Sequence, residues 1–158
     1  GNVLCQDMRS MGKNNRVQKD LTHKLISLGQ RLAKRELAHT VSLGEAQRRA
    51  IEIHGDIADA LIAYNLEVEK AGVPQLKVEQ SPVRTDEKHL RSIQFDIKRG
   101  RYTAIVTVKS RGGITLVGPF RAGKSEGPCK TFPFDSAEEL SLALPLFLEN
   151  FLEEAATP

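Results

Sequence analysis

The sequence predicts an α+β protein: an N-terminal antiparallel helical hairpin, a four-stranded antiparallel meander and a C-terminal helix. Three observations carry this. Apolar residues first recur at spacings of three and four, as on one face of a helix. From Ile93 they alternate with polar residues, as in half-buried strands. After Asp135 the helical spacing returns. Helices grouped at the ends of a run of strands pack on an antiparallel sheet.

Residues 1–15 are polar and without period, and read as a flexible tail. Val17, Leu21, Leu25, Leu28 and Leu32 then mark one face of a first helix, with Arg16, Lys19, Lys24 and Arg31 elsewhere on it. Ser42 and Glu45 have the spacing of a capping box and predict the start of a second helix. Its stripe is Ala46, Ala50, Ile53, Ile57, Leu61, Tyr64 and Val68, at alternating spacings of four and three. Gly72, with Val73 and Pro74 behind it, stops that helix. Residues 16–74 are thus expected to form the hairpin, and its Ala46-to-Val68 seam is expected to be packed in the core or in a homodimer.

Residues 80–88 read as a polar link containing Pro82. Ile93, Phe95 and Ile97 mark the first strand; Tyr102, Ala104, Val106 and Val108 the second; residues 114–117 the third; and residues 129–134 the fourth. Short turns between them imply an antiparallel meander. Asp135 and Ser136 are candidate caps for a last helix carrying Leu140, Leu144, Phe147, Leu148 and Phe151, with Pro145 expected to kink or split it. Residues 75–158 are expected to form the sheet and this helix, in one compact domain with the hairpin. A four-strand meander followed by a helix resembles, in topology, the Whirly and Pur-type single-strand binders. That likeness transfers no residue role.

The net charge of +3 hides a strong segregation. Residues 88–134 hold ten Lys or Arg against two Asp or Glu, whereas residues 135–158 hold six acidic residues and no basic one. A basic stripe is the electrostatic footprint of a polyanion site. The candidates are Arg91, Lys98, Arg99, Arg101, Lys109, Arg111, Arg121 and Lys124, with Tyr102, Phe95 and Phe120 as stacking surfaces. The expected function is a non-enzymatic binding module, with single-stranded nucleic acid or an acidic protein as partner. The alternative is a structural or interaction protein that dimerises through its helices, the charge serving solubility.

Residues Gly118 to Ser125 match the phosphate-loop pattern in full, which adds a remote third reading, a nucleotide-binding enzyme. A phosphate loop, however, must open a helix whose first N–H groups hold the phosphates, and Gly127-Pro128 stands where that helix belongs. No His, Cys, Asp or Glu pattern has metal-ligand spacing, so no catalytic residue, metal or cofactor is assigned. His54 reads as a helix-surface residue. Cys5 and Cys129 do not make a disulfide framework, and Cys129 is expected to be a buried strand thiol. No apolar run reaches the roughly 18 residues of a membrane span, and no secretory signal is visible. Cytoplasmic, reduced thiols are the default expectation, although the chain opens on Gly1 and an original N-terminus is open.

Overall fold

A computed structural model describes residues 11–86, 91–110, 113–121, 123–124 and 127–156, with side chains from residue 15 onward. The expected tail therefore lies largely outside the described residues. The element order is α1 (Met11–Lys70), a 3-10 turn (Pro74–Leu76), β1 (Glu79–Gln80), β2 (Arg84–Asp86), β3 (Ser92–Arg99), β4 (Tyr102–Lys109), β5 (Ile114–Arg121), β6 (Cys129–Phe132) and α2 (Ala137–Ala155). The α+β class holds, as does the antiparallel sheet. By backbone proximity the chain divides into two compact units, 1–40 and 41–158.

The helical hairpin is not formed. Residues 39–41 are themselves helical, and α1 runs for 60 residues. No Gly or Pro lies between residues 30 and 43 to stop it, and the Ser42–Glu45 pattern, which also fits mid-helix residues, starts nothing here. In the unit 1–40, every described side chain from residue 15 to residue 38 is exposed.

In the unit 41–158, the second stripe of α1 is buried. Ala46, Ala50, Ile53, Ile57 and Leu61 lie in one core with Ile93, Phe95 and Ile97 of β3, Ala104, Val106 and Val108 of β4, and Ile114 and Leu116 of β5. Of the two places expected for this seam, core or dimer, the core of its own chain takes most of it. The helix ends as its sequence requires. Gly72 takes φ +82, its N–H donates to the Glu69 carbonyl, and the Val73 N–H reaches back to Val68 at 2.9 Å. That is a Schellman cap, and glycine takes the left-handed conformation at little cost.

Polar side chains of α1 hold the chain that follows it. Asn65 pairs with both backbone groups of Val78, accepting from its N–H at 2.9 Å and donating to its carbonyl at 3.0 Å. Tyr64 donates to the Leu76 carbonyl, and Gln80 to the carbonyl of His54. His54 itself is not a simple surface residue. Its Nε2 lies 2.9 Å from the Ser81 carbonyl and its ring meets Phe95 edge-on at 4.9 Å.

The sheet has six strands rather than four, in the order β1-β3-β4-β5-β6, with β2 also on β3. The extra pair comes from the segment read as a link. β1 pairs with one end of β3 and β2 with the other, making an interrupted edge strand. The interruption is at Ser81-Pro82, where a proline cannot donate to the ladder. The Ser81 hydroxyl accepts from the Asp96 N–H at 2.8 Å instead. At the far end, Pro145 neither splits α2 nor ends it. It costs the Ser141 carbonyl its helical donor, but both residues are exposed, so water can take that place.

α2 buries Leu140, Phe151 and Ala155 in the same core, over β4 and β5. Both helical segments of this unit therefore cover one face of the sheet. Among the described residues of the unit, no element packs on the other face. No described helix is long and apolar enough to cross a membrane.

Candidate nucleic-acid interface

The uncovered face is set by strand alternation: each residue facing the core leaves its neighbours facing away. The register then aligns those outward residues into rows. One row is Arg84, Gln94, Thr107, Thr115 and Thr131, crossing five strands. The next is Asp96, Ile105, Val117 and Cys129. The third is Glu79, Lys98, Thr103 and Phe120, with a register shift between Thr103 and Ile105. The Thr115 and Thr131 hydroxyls lie 3.1 Å apart. The face is broad and rich in threonine, and among the described residues it carries one aromatic ring, Phe120. Cys129, expected to be buried, is an exposed free thiol on it.

The predicted cations divide by position. Lys98, Arg101, Arg121 and Lys124 come together at the end of the sheet formed by the β3–β4 turn and the end of β5. Arg101 and Lys124 are exposed, and neither has an ion-pair partner among the described residues. Lys98 is exposed and lies 3.9 Å from Asp96, whose carboxylate already accepts from Arg84 at 2.8 Å. Arg91 and Lys109 are at the opposite end, next to and opposite Ser92 respectively. Arg91 takes a left-handed φ of 46°. Arg111 lies outside the described residues.

Three predicted residues, Tyr102, Phe95 and Arg99, turn to the core side. Tyr102 is buried on the core side, with the Arg121 guanidinium over its ring at 5.6 Å, so it offers no platform to a base. Phe95 is completely buried. Arg99 pairs across from Tyr102 and turns to the same side. Its Nε donates to the Gln75 carbonyl at 3.1 Å and its Nη1 to the Ala155 carbonyl at the end of α2. Arg99 is a structural clamp between the 3-10 turn and α2. The sequence missed Arg84, Gln94 and the threonines of the first row. For Gln94 and the threonines the signal was the same two-residue period that identified the core; Arg84 lies in a segment without that alternation.

The phosphate-loop match does not fold as one. Gly118 to Arg121 are residues of β5, and the next element is strand β6, not a helix. The Gly118 N–H donates to the Pro128 carbonyl at 2.7 Å, closing the β5–β6 connection. Gly118 is required by packing: with φ +110, a Cβ there would sit 2.8 Å from the Thr103 carbonyl oxygen.

On the helix-covered side, α2 and the β5–β6 edge enclose a pocket of about 320 Å³ lined by Leu116, Lys130, Leu146, Phe147 and Asn150 among others. Among the described residues no three His, Cys, Asp or Glu side chains converge as metal ligands. Scans against protein-family models, curated proteins and solved structures found no match to this chain.

Proposed function

We propose that the chain is a binding module that holds single-stranded nucleic acid on the uncovered sheet face, with the backbone phosphates at the Lys98, Arg101 and Lys124 end. One observation carries this reading. The helices of the sheet unit cover a single face, and the other is left broad, half-polar and bordered by cations, two of them without an acidic partner among the described residues. An antiparallel face with a basic margin supplies what a sequence-tolerant single-strand site needs: charges that track phosphates and a surface on which bases lie. Phe120 is the stacking residue of this face, and Thr103, Thr107, Thr115 and Gln94 offer donors and acceptors to base edges and sugars. The acidic side chains of α2, Glu138, Glu139, Glu149, Glu153 and Glu154, are exposed on the helical side and orient a polyanion toward the sheet.

The test is fluorescence anisotropy with a labelled single-stranded oligonucleotide across a salt series. Binding should weaken steeply with salt, since affinity comes mostly from counterion release. Lys98→Glu with Arg101→Glu should remove most of it, and Phe120→Ala should weaken it by roughly 1–3 kcal/mol, the usual worth of one stacked base. Absence of binding at tens of micromolar protein in low salt would sink the reading. So would binding unmoved by the charge reversals.

A further inference from the structure

We infer that residues 17–36 of α1 form a parallel two-stranded coiled coil with a second copy of this chain. In the unit 1–40, the described part of α1 leaves its whole apolar stripe in water. Val17 is 64% exposed, Leu21 48%, Leu25 56%, Leu28 37% and Leu32 46%. The helix has local support, such as the Asp20–Lys24 pair at 3.4 Å, but such pairs are worth only a few tenths of a kcal/mol. An exposed aliphatic stripe on a helix marks an interaction surface, and the pattern of this one selects among partners.

Leu21, Leu25, Leu28 and Leu32 follow one another at spacings of four, three and four, the d, a, d, a positions of a heptad. The stripe is narrow and wholly aliphatic. Helices that lie in a lipid surface carry a wider apolar face, with Trp or Phe on it, so the seam fits another helix better than a bilayer. Charge then selects the partner and its direction. In this register Gln18 and Arg35 take the a and d positions that flank the leucines, Val17, Lys24 and Arg31 occupy g positions, and Thr22, Gly29 and Glu36 occupy e positions. In a parallel pair each g residue meets the e residue five places on in its partner. Lys24 then faces Gly29, and Arg31 faces Glu36. In an antiparallel pair g meets g, which sets Lys24 and Arg31 of one copy against those of the other. The sequence thus tolerates itself in parallel and repels itself in antiparallel. The earlier candidate seam, Ala46 to Val68, is not free to do this, because Ala46, Ala50, Ile53, Ile57 and Leu61 are buried in their own core.

The experiment uses the whole chain. Sedimentation equilibrium should give twice the chain mass at tens of micromolar and dissociation on dilution. Leu25→Asp with Leu28→Asp should return the monomer mass while the sheet unit keeps its melting temperature, since none of its core residues is touched. Leu32→Cys, made with Cys5→Ser and Cys129→Ser, should oxidise to a disulfide-linked dimer, because a parallel register places the two copies of position 32 side by side. A monomer mass at every concentration would overturn the inference, as would a threefold mass, a dimer indifferent to the Leu25/Leu28 changes, or a monomer that binds anionic vesicles through this stripe. Failure of the Leu32→Cys dimer to cross-link would overturn the parallel direction. None of these readings depends on nucleic-acid binding.

Discussion

Alanine at Gly118 separates the packing role of this glycine from the phosphate-loop role its neighbours suggest. Gly118 has φ +110, and an added Cβ would lie 2.8 Å from the Thr103 carbonyl oxygen, 3.0 Å from the Ala104 Cα and 3.3 Å from its Cβ. Two costs follow. Holding a non-glycine residue in that backbone region costs about 1–3 kcal/mol. Forcing a methyl group between β4 and β5 costs about 1–3 kcal/mol more, since the contacts are backbone and cannot swing away. Gly118→Ala should therefore lose about 2–6 kcal/mol, a large part of the roughly 5–15 kcal/mol that a domain has. Gly123, the second glycine of the same pattern, has φ +89 but nothing within 4 Å of its would-be Cβ. Gly123→Ala should cost only the conformational part, about 1–2 kcal/mol. Urea denaturation followed by far-UV circular dichroism measures both, read from the midpoints at constant slope. Equal midpoints for the two variants would refute the reasoning, as would a Gly118→Ala cost under about 1 kcal/mol.

Arg99 and Arg101 should part company: Arg99→Ala should lose about 2 kcal/mol of stability because it frees the Gln75 and Ala155 carbonyls, with little direct effect on oligonucleotide binding. Arg101→Ala should do the reverse, leaving the melting temperature unchanged and flattening the salt dependence of binding by about 0.7 in log–log slope for one lost phosphate contact. Asn65→Ala should cost about 2–3 kcal/mol in thermal or urea unfolding, since it strands both backbone groups of the buried Val78. A loss below about 0.5 kcal/mol would show that water replaces the amide there.

Much of the fold was legible because two-residue and helical periods are direct consequences of which face is buried. Ile93, Phe95 and Ile97, then Ala104, Val106 and Val108, are core residues by alternation alone. Gly72 ends its helix for a reason visible in one residue. The misses have equally local causes. β1 and β2 carry Glu79, Gln80, Arg84, Thr85 and Asp86, which have no apolar alternation, because a short edge strand can be held by backbone pairing alone. Pro82 argued against a strand and was right about its own position, where the Ser81 hydroxyl takes over the pairing. The hairpin failed because a Ser-x-x-Glu pattern marks a helix start only where something else stops the helix before it, and no breaker stands between residues 30 and 43.

The candidate site was legible as a charge count but not as a surface. Ten basic residues in one segment say nothing about which way each side chain points. The strand period does. Arg99 has the same parity as Ile93, Phe95 and Ile97, and Tyr102 the same parity as Ala104, Val106 and Val108. Both were therefore bound for the core side, where Arg99 clamps α2 and Tyr102 lies under Arg121. Lys98 and Thr103, of opposite parity, were bound for the open face. Across strands, however, parity fixes only the face; the neighbours on it depend on register, and register here depends on the shift between Thr103 and Ile105 opposite Gly118. That single irregularity returns Phe120 to the open face, opposite Thr103, and sets Arg121 opposite Tyr102. The glycine that imitates a phosphate loop is thus the residue that shapes the basic end of the sheet, and Gly118→Ala should disturb oligonucleotide binding even in the fraction that remains folded.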